Sequence, residues 1–230
     1  KMRRLAIIPA RGGSKRIPKK NIKKFCGKPM INHILETCEK SRLFKKIHVS
    51  TEDLQIRNIV EDYGLKIDFL RPANLAEDKS PIMPVLKYVT TKYIDANEHF
   101  DQIWLILPCC PLITSFDLIN ADKLYENNNP KNKLMAVSEY PAPIEWAYKK
   151  NSAGILKTVN PGAFERQSQS FKPYFYDTGT FYIFSTEDIV KSVNAGDGNN
   201  FIPFEIPFYK GIDIDTKLDW DNAEKIYRTL

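Results

Sequence analysis

Short apolar runs recur through the first two-thirds of this chain, at residues 5–9, 47–50, 67–70, 103–107 and 134–138. Longer amphipathic stretches separate them, near 29–41, 53–63, 81–97 and 115–127. Nearly continuous apolar runs suit strands buried on both faces, and their alternation with helices predicts an α/β fold with a doubly wound, mostly parallel sheet. A further strand is expected over 176–184. Ligands of such sheets bind beyond the carboxyl ends of the strands. The segments after Pro9, Leu70 and Leu107 are such ends.

Helix boundaries are also legible. Ser115 or Thr114 can cap the fourth helix, and Thr216 a last one with Asp219 and Asp221 in its first turn, where the helix dipole favours carboxylates. Asn127-Asn128-Asn129-Pro130 reads as a stop. Residues 140–175 break the rhythm with four prolines and many aromatics, and read as an inserted, hairpin-like arm. The 230 residues are expected to form a single domain over 1–230, with 140–175 as a dimerisation arm or lid.

Charge is distributed unevenly. Residues 1–28 hold eleven Lys or Arg and no Asp or Glu, whereas the whole chain sums to only +6. The remainder is therefore net acidic and would repel a long polyanion, which argues against nucleic acid despite a pI near 9. No apolar run approaches the roughly 18–20 residues a membrane span needs. The first apolar run ends at Arg11, too short for a signal peptide core. Cys26, Cys38, Cys109 and Cys110 form no C-x-x-C pair and read as reduced thiols in a cytoplasmic protein. His33, His48 and His99 are too scattered for a zinc site.

The basic excess surrounds Ala10-Arg11-Gly12-Gly13-Ser14-Lys15-Arg16-Ile17-Pro18-Lys19-Lys20-Asn21. This is neither a Walker A loop nor G-x-G-x-x-G. Its mechanics are related: Gly12 and Gly13 allow tight turns and expose backbone N–H groups to an anion. Arg11, Lys15 and Lys20 can neutralise phosphates, and Asn21 offers an amide to a sugar hydroxyl or a phosphate. The polyanion expected is a nucleoside triphosphate. At the other end of the chain, Asp213 and Asp215 alternate in an extended segment and present two carboxylates on one face. Hard oxygens at that spacing suit Mg²⁺ completed by substrate phosphates.

The basic loop, followed by Phe25-Cys26-Gly27-Lys28-Pro29-Met30, resembles the opening of the CMP-nonulosonate (sialic-acid-type) cytidylyltransferases. Leu70-Arg71-Pro72-Ala73-Asn74-Leu75-Ala76-Glu77-Asp78-Lys79-Ser80 is similar to the family's R-P-x-x-L-A-x-D-x-S segment. Ile212-Asp213-Ile214-Asp215-Thr216 is similar to its metal segment. The resemblance implies a nucleotidyltransferase fold and activation of a nine-carbon acid sugar by CTP. It implies catalytic roles for Arg11, Lys20, Asp213 and Asp215, the last two on the metal. It places Ala10, Arg71 and Ser80 at the nucleotide with the loop residues. Arg166 is implied at the sugar carboxylate, and Glu139, Tyr176, Asp177 and Phe181 around the sugar pocket. A homodimer with the arm reaching into its neighbour's site is also implied.

The chain departs from the sialic acid pattern. Leu107-Pro108-Cys109-Cys110-Pro111-Leu112-Ile113 stands where those enzymes carry Gln-Pro-Thr-Ser-Pro-Leu-Arg, and Asp177-Thr178-Gly179 replaces an Asn-Gly. These changes are more similar to the branch that acts on pseudaminic acid; sialic or legionaminic acid is the alternative. A metal-dependent nucleotide-sugar glycosyltransferase would explain the carboxylates and not the triphosphate loop. A nucleotide-sensing module would explain the charge and not Asp213 and Asp215.

Overall fold

A computed structural model describes residues 2–77, 79–128, 132–192 and 198–230. In chain order its elements begin β1 (Arg4–Pro9), β2 (Lys24–Phe25), β3 (Lys28–Pro29), α1 (Met30–Ser41), β4 (Lys46–Ser50) and α2 (Leu54–Tyr63). There follow α3 (Ile82–Asp95), β5 (Gln102–Ile106), α4 (Ser115–Glu126), β6 (Lys133–Glu139), β7 (Tyr148–Lys150) and β8 (Leu156–Thr158). The chain continues through β9 (Phe175–Ser185), α5 (Thr186–Lys191), β10 (Phe201–Glu205) and α6 (Lys217–Tyr227).

Six strands form the central sheet in the order β10-β6-β9-β5-β1-β4. All neighbours are parallel except β9, which runs antiparallel to both β5 and β6. The alternation within β1 explains the two helical layers. Ala6 and Ile8 point to one face, packed with Ile31, Leu35 and Leu118 of α1 and α4. Leu5 and Ile7 point to the other, packed with Leu86 and Val89 of α3 and Ile189 of α5. Between the layers β1 is fully buried, as its unbroken apolar run requires.

A third, smaller core brings together the two ends of the chain. Ile17 of the basic loop, Phe25 and Met30 pack with Ile214, Trp220 and Ala223. Trp220 meets Phe25 edge to face. Ile214 is buried, and this places its neighbours Asp213 and Asp215 on the opposite face of their extended segment.

Two sequence expectations change. Residues 67–70 form no strand. They pack beside β4, held by side chains: Phe69 stacks on His48, and Asp68 accepts from the Tyr93 hydroxyl at 2.9 Å. One backbone bond, Arg71 N–H to Thr51 O at 2.8 Å, closes that strap. Strand β10 was not anticipated; it contains Pro203, which an edge strand tolerates because one side needs no ladder bonds. Thr114 rather than Ser115 caps α4, in a capping box with Asp117. Helix α4 ends at Glu126, ahead of the predicted stop, of which Asn129 and Pro130 lie outside the described residues. Within 140–175, β7 and β8 pair as an exposed hairpin, and Trp146 stacks on Phe164 beside it.

Candidate active site

The basic loop leaves the carboxyl end of β1 and returns toward the segment before α6. Lys20 Nζ donates to Ile214 O at 2.7 Å and to Asp215 Oδ1 at 3.1 Å. Arg16 approaches Asp215 Oδ2 at 2.7 Å. Loop cations and carboxylates nearly two hundred residues apart thus face each other. They share a cavity of about 600 Å³, which falls where a doubly wound sheet holds its ligands.

Arg11, Ser14, Lys15, Lys20, Asn21, Arg71, Ser80, Asp213 and Asp215, all singled out from sequence, line this cavity. Arg71 is only 7% exposed. Its Nε donates to Ser50 Oγ at 3.1 Å and its Nη2 to Ser50 O at 2.6 Å, so the end of β4 aims it. Burial draws its pKa down, against the opposing charge of Glu52. Ser80 Oγ is more exposed and donates to Asn74 O. Asp78 of the same motif lies outside the described residues.

Ala10 is buried beneath the loop, its N–H bonded to Ser50 O at 2.9 Å. Gly12 and Gly13 do not line this cavity. The Gly12 N–H, expected to face an anion, instead donates to Glu52 Oε1 at 2.8 Å. Glycine suits this position because an added Cβ would fall 2.2 Å from Asp53 Oδ2 and force that side chain to shift. The Asn21 amide is also partly engaged: Nδ2 donates to Arg11 O at 2.9 Å, and Oδ1 accepts the Cys109 thiol at 3.2 Å.

The two neighbouring carboxylates are shifted in opposite directions. Burial, then the charge of Asp215, raises the pKa of Asp213. Burial also pushes Asp215 up, but the hydrogen bond and charge of Lys20 and the charge of Arg16 prevail and hold it below the ordinary range. Burial pushes the Cys109 thiol up to about 12, so it stays a neutral S–H donor.

A second cavity, about 830 Å³, shares Ile82, Leu107, Gly179 and Asp213 with the first. Its walls are largely apolar, with Met83, Leu105, Met135, Phe184 and Phe201. The Tyr182 hydroxyl donates to Asp177 at 2.7 Å on its rim. Of the predicted sugar residues, Asp177 lines this cavity; Arg166, Glu139, Tyr176 and Phe181 line neither. Phe181 is fully buried between Trp104 and Phe204, so it is a core residue and not a pocket wall. Arg166 lies over Phe171 on the arm and donates to Ser170 O. Sequence reasoning passed over Glu52, Tyr182 and Thr178. Only Gly179, with φ of 62°, carried a local signal that β9 is irregular there.

A basic loop opposite paired carboxylates, at the carboxyl edge of such a sheet, is the layout of a nucleotidyltransferase. Residues 5–98 match the family model described as cytidylyltransferase. Over 99% of its length the chain is 30% identical to pseudaminic acid cytidylyltransferase of Campylobacter jejuni, covering 97% of that protein. It is 29% identical to CMP-N,N'-diacetyllegionaminic acid synthase of Legionella pneumophila, over 98% of this chain and 96% of that one. The fold matches CMP:2-keto-3-deoxy-manno-octonic acid synthetase complexed with CTP at a TM-score of 0.73, with 18% identity and 99% of both chains covered. The chain belongs to the CMP-nonulosonate cytidylyltransferase family.

Proposed function

We propose that this enzyme transfers CMP from CTP to a nonulosonic acid, with pseudaminic acid as the first candidate, and releases pyrophosphate. One observation carries the reading: the cation loop and the carboxylate pair share a cavity that meets a second, largely apolar cavity at Asp213. CTP occupies the first and the acid sugar the second. The sugar hydroxyl attacks the α-phosphorus, an O–P bond forms, and the bond to the β-phosphate oxygen breaks. Arg11 and Lys20 stabilise the charge of the departing pyrophosphate. Asp213 stands between the cavities, where it either accepts the hydroxyl proton or serves with Asp215 as a metal ligand.

Asp213 and Asp215 fit Mg²⁺. They are hard oxygen donors, and their mutual repulsion is the excess charge a divalent cation relieves. No group of three His, Cys, Asp or Glu that could hold a metal occurs among the described residues, so phosphates and water would complete the shell. Bound there, the ion would neutralise α-phosphate charge.

The arm exposes Tyr148, Ile155, Leu156 and Phe164. The same reading sets it against a second copy in a homodimer, where Arg166 reaches the neighbour's sugar. No helix among the described residues is long and apolar enough to cross a membrane, and dependence on CTP fits a cytoplasmic enzyme. Pyrophosphate release, measured with each nucleoside triphosphate, Mg²⁺ and a panel of acid sugars, tests the proposal. Turnover only with CTP and pseudaminic acid supports it. Turnover with sialic or legionaminic acid alone moves the substrate within the family, and none with any acid sugar refutes the reading.

A further inference from the structure

One peptide group in the basic loop is gripped from both sides. The Arg11 carbonyl and the Gly12 N–H belong to the same planar unit and point in opposite directions. Glu52, just beyond β4, accepts from the N–H at 2.8 Å. Asn21, at the far end of the loop, donates to the carbonyl at 2.9 Å. The Asn21 amide is itself oriented, because Cys109, just beyond β5, donates its thiol hydrogen to Oδ1. A flipped amide would set oxygen against the Arg11 carbonyl. A side chain at position 12 would also run into Asp53, the N-cap of α2, so the close approach of this peptide suits glycine.

Glu52 is an unexpected residue beside a triphosphate site, since a carboxylate there repels the ligand. It does not line the cavity. One oxygen holds Gly12, and the other, Oε2, is buried without a hydrogen-bond partner among the described residues. Its charge acts on Arg71, as does that of Arg11. A loop with two adjacent glycines is otherwise free to rotate its peptides.

We propose that Glu52 is a positioning residue for the nucleotide: it locks the Arg11–Gly12 peptide, with Asn21 and Cys109 as the opposing clamp. The loop's cations then face the cavity before the ligand arrives, and binding is spared the ordering of the loop. The inference rests on the reading that CTP fills this cavity.

Calorimetric CTP affinity, with KM for CTP and for the acid sugar, is measured for wild type, Glu52→Ala, Glu52→Gln, Cys109→Ala, Cys109→Ser and the double alanine variant. Losing a charge-assisted hydrogen bond to the peptide predicts CTP binding weakened about tenfold or more in Glu52→Ala. The KM of the sugar stays unchanged. Glu52→Gln falls between, Cys109→Ala loses less, and Cys109→Ser, which keeps a donor, recovers it. The double variant loses less than the product of the single effects, because both release the same peptide. Wild type that binds no CTP removes the CTP reading and this inference with it. Wild type that binds CTP while Glu52→Ala and Glu52→Gln bind equally well overturns the inference alone. So does a parallel loss of affinity for both substrates, the sign of general unfolding. Should Glu52→Ala fail to fold, Glu52→Gln and Cys109→Ala carry the same comparison.

Discussion

Gly211→Ala should damage stability and turnover together. Gly211 precedes Asp213 by two residues, and a methyl group there would fall 2.6 Å from Thr178 Cγ2 and 2.9 Å from Thr178 Cβ. Ordinary contact begins at 3.4 Å, so about 0.8 Å must be found somewhere in an interior with little free space. Thr178 cannot supply it. It is buried, its Oγ1 donates to Ala136 O at 2.8 Å, and it shares a hydrogen bond with Thr180 Oγ1 at 2.9 Å. Turning the side chain would break both bonds, at about 1–3 kcal/mol for a buried group left unsatisfied. The backbone of 210–213 therefore moves and carries Asp213 with it. Overpacking of this kind costs about 1–3 kcal/mol, which for a chain this long lowers Tm by about 2–12 °C. A displacement near 1 Å at Asp213 lowers kcat by up to about a hundredfold. Thermal melts and pyrophosphate release measure the two effects. Gly13→Ala, whose Cβ meets nothing within 4 Å, should hold its Tm. Adding Thr178→Ser, which deletes the clashing methyl, should recover part of both losses. A Gly211→Ala protein that melts and turns over like wild type would refute the reasoning.

Asp215→Asn removes the charge that Arg16 and Lys20 engage; kcat should fall by about a hundredfold or more and its Mg²⁺ dependence should flatten, with an unchanged circular dichroism spectrum. Asp213→Asn should lose turnover yet raise the Tm of the ligand-free protein at neutral pH. An acid whose folded pKa lies above its ordinary 3.8 stabilises the fold less as pH rises through that window, so the gain should shrink as pH falls toward 4. Melts across pH decide it. Arg4→Met strands Asp122, which Arg4 binds at 2.6 and 2.8 Å in a pair less than a tenth exposed. Denaturant titration should show a loss of about 3–5 kcal/mol, with much of it returned by Asp122→Leu in the same chain.

How far the sequence could be read depended on locality. Burial on both faces is written into each strand, so β1, β4, β5 and β6 were legible as apolar runs. The run at 67–70 has the same composition and is a strap, because hydrophobicity records burial and not which backbone bonds are made. The resemblance implies Phe181 at the sugar pocket, and the structure places it in the core. Between Met135 and Val137 the register of β6 against β9 shifts, and such a bulge breaks the two-residue alternation that tells inward from outward. Beyond it Phe181 and Ile183 face the core while Tyr182 lies beside the second cavity, bonded to Asp177 five residues away. Nothing in the local pattern of aromatics announces that exchange.

From residues alone came the α/β class, the basic loop and the two carboxylates of Asp213 and Asp215 on one face, because each depends on chemistry within a few neighbours. The fold alone decided what these parts do to one another. The small core around Phe25, Ile214 and Trp220 draws the two ends of the chain together, and with them Arg16 and Lys20 onto Asp215. Strand β4 delivers Glu52 and β5 delivers Cys109 to opposite sides of one loop. Such contacts arise from strand order and packing across the whole sheet, so no short stretch of sequence contains them.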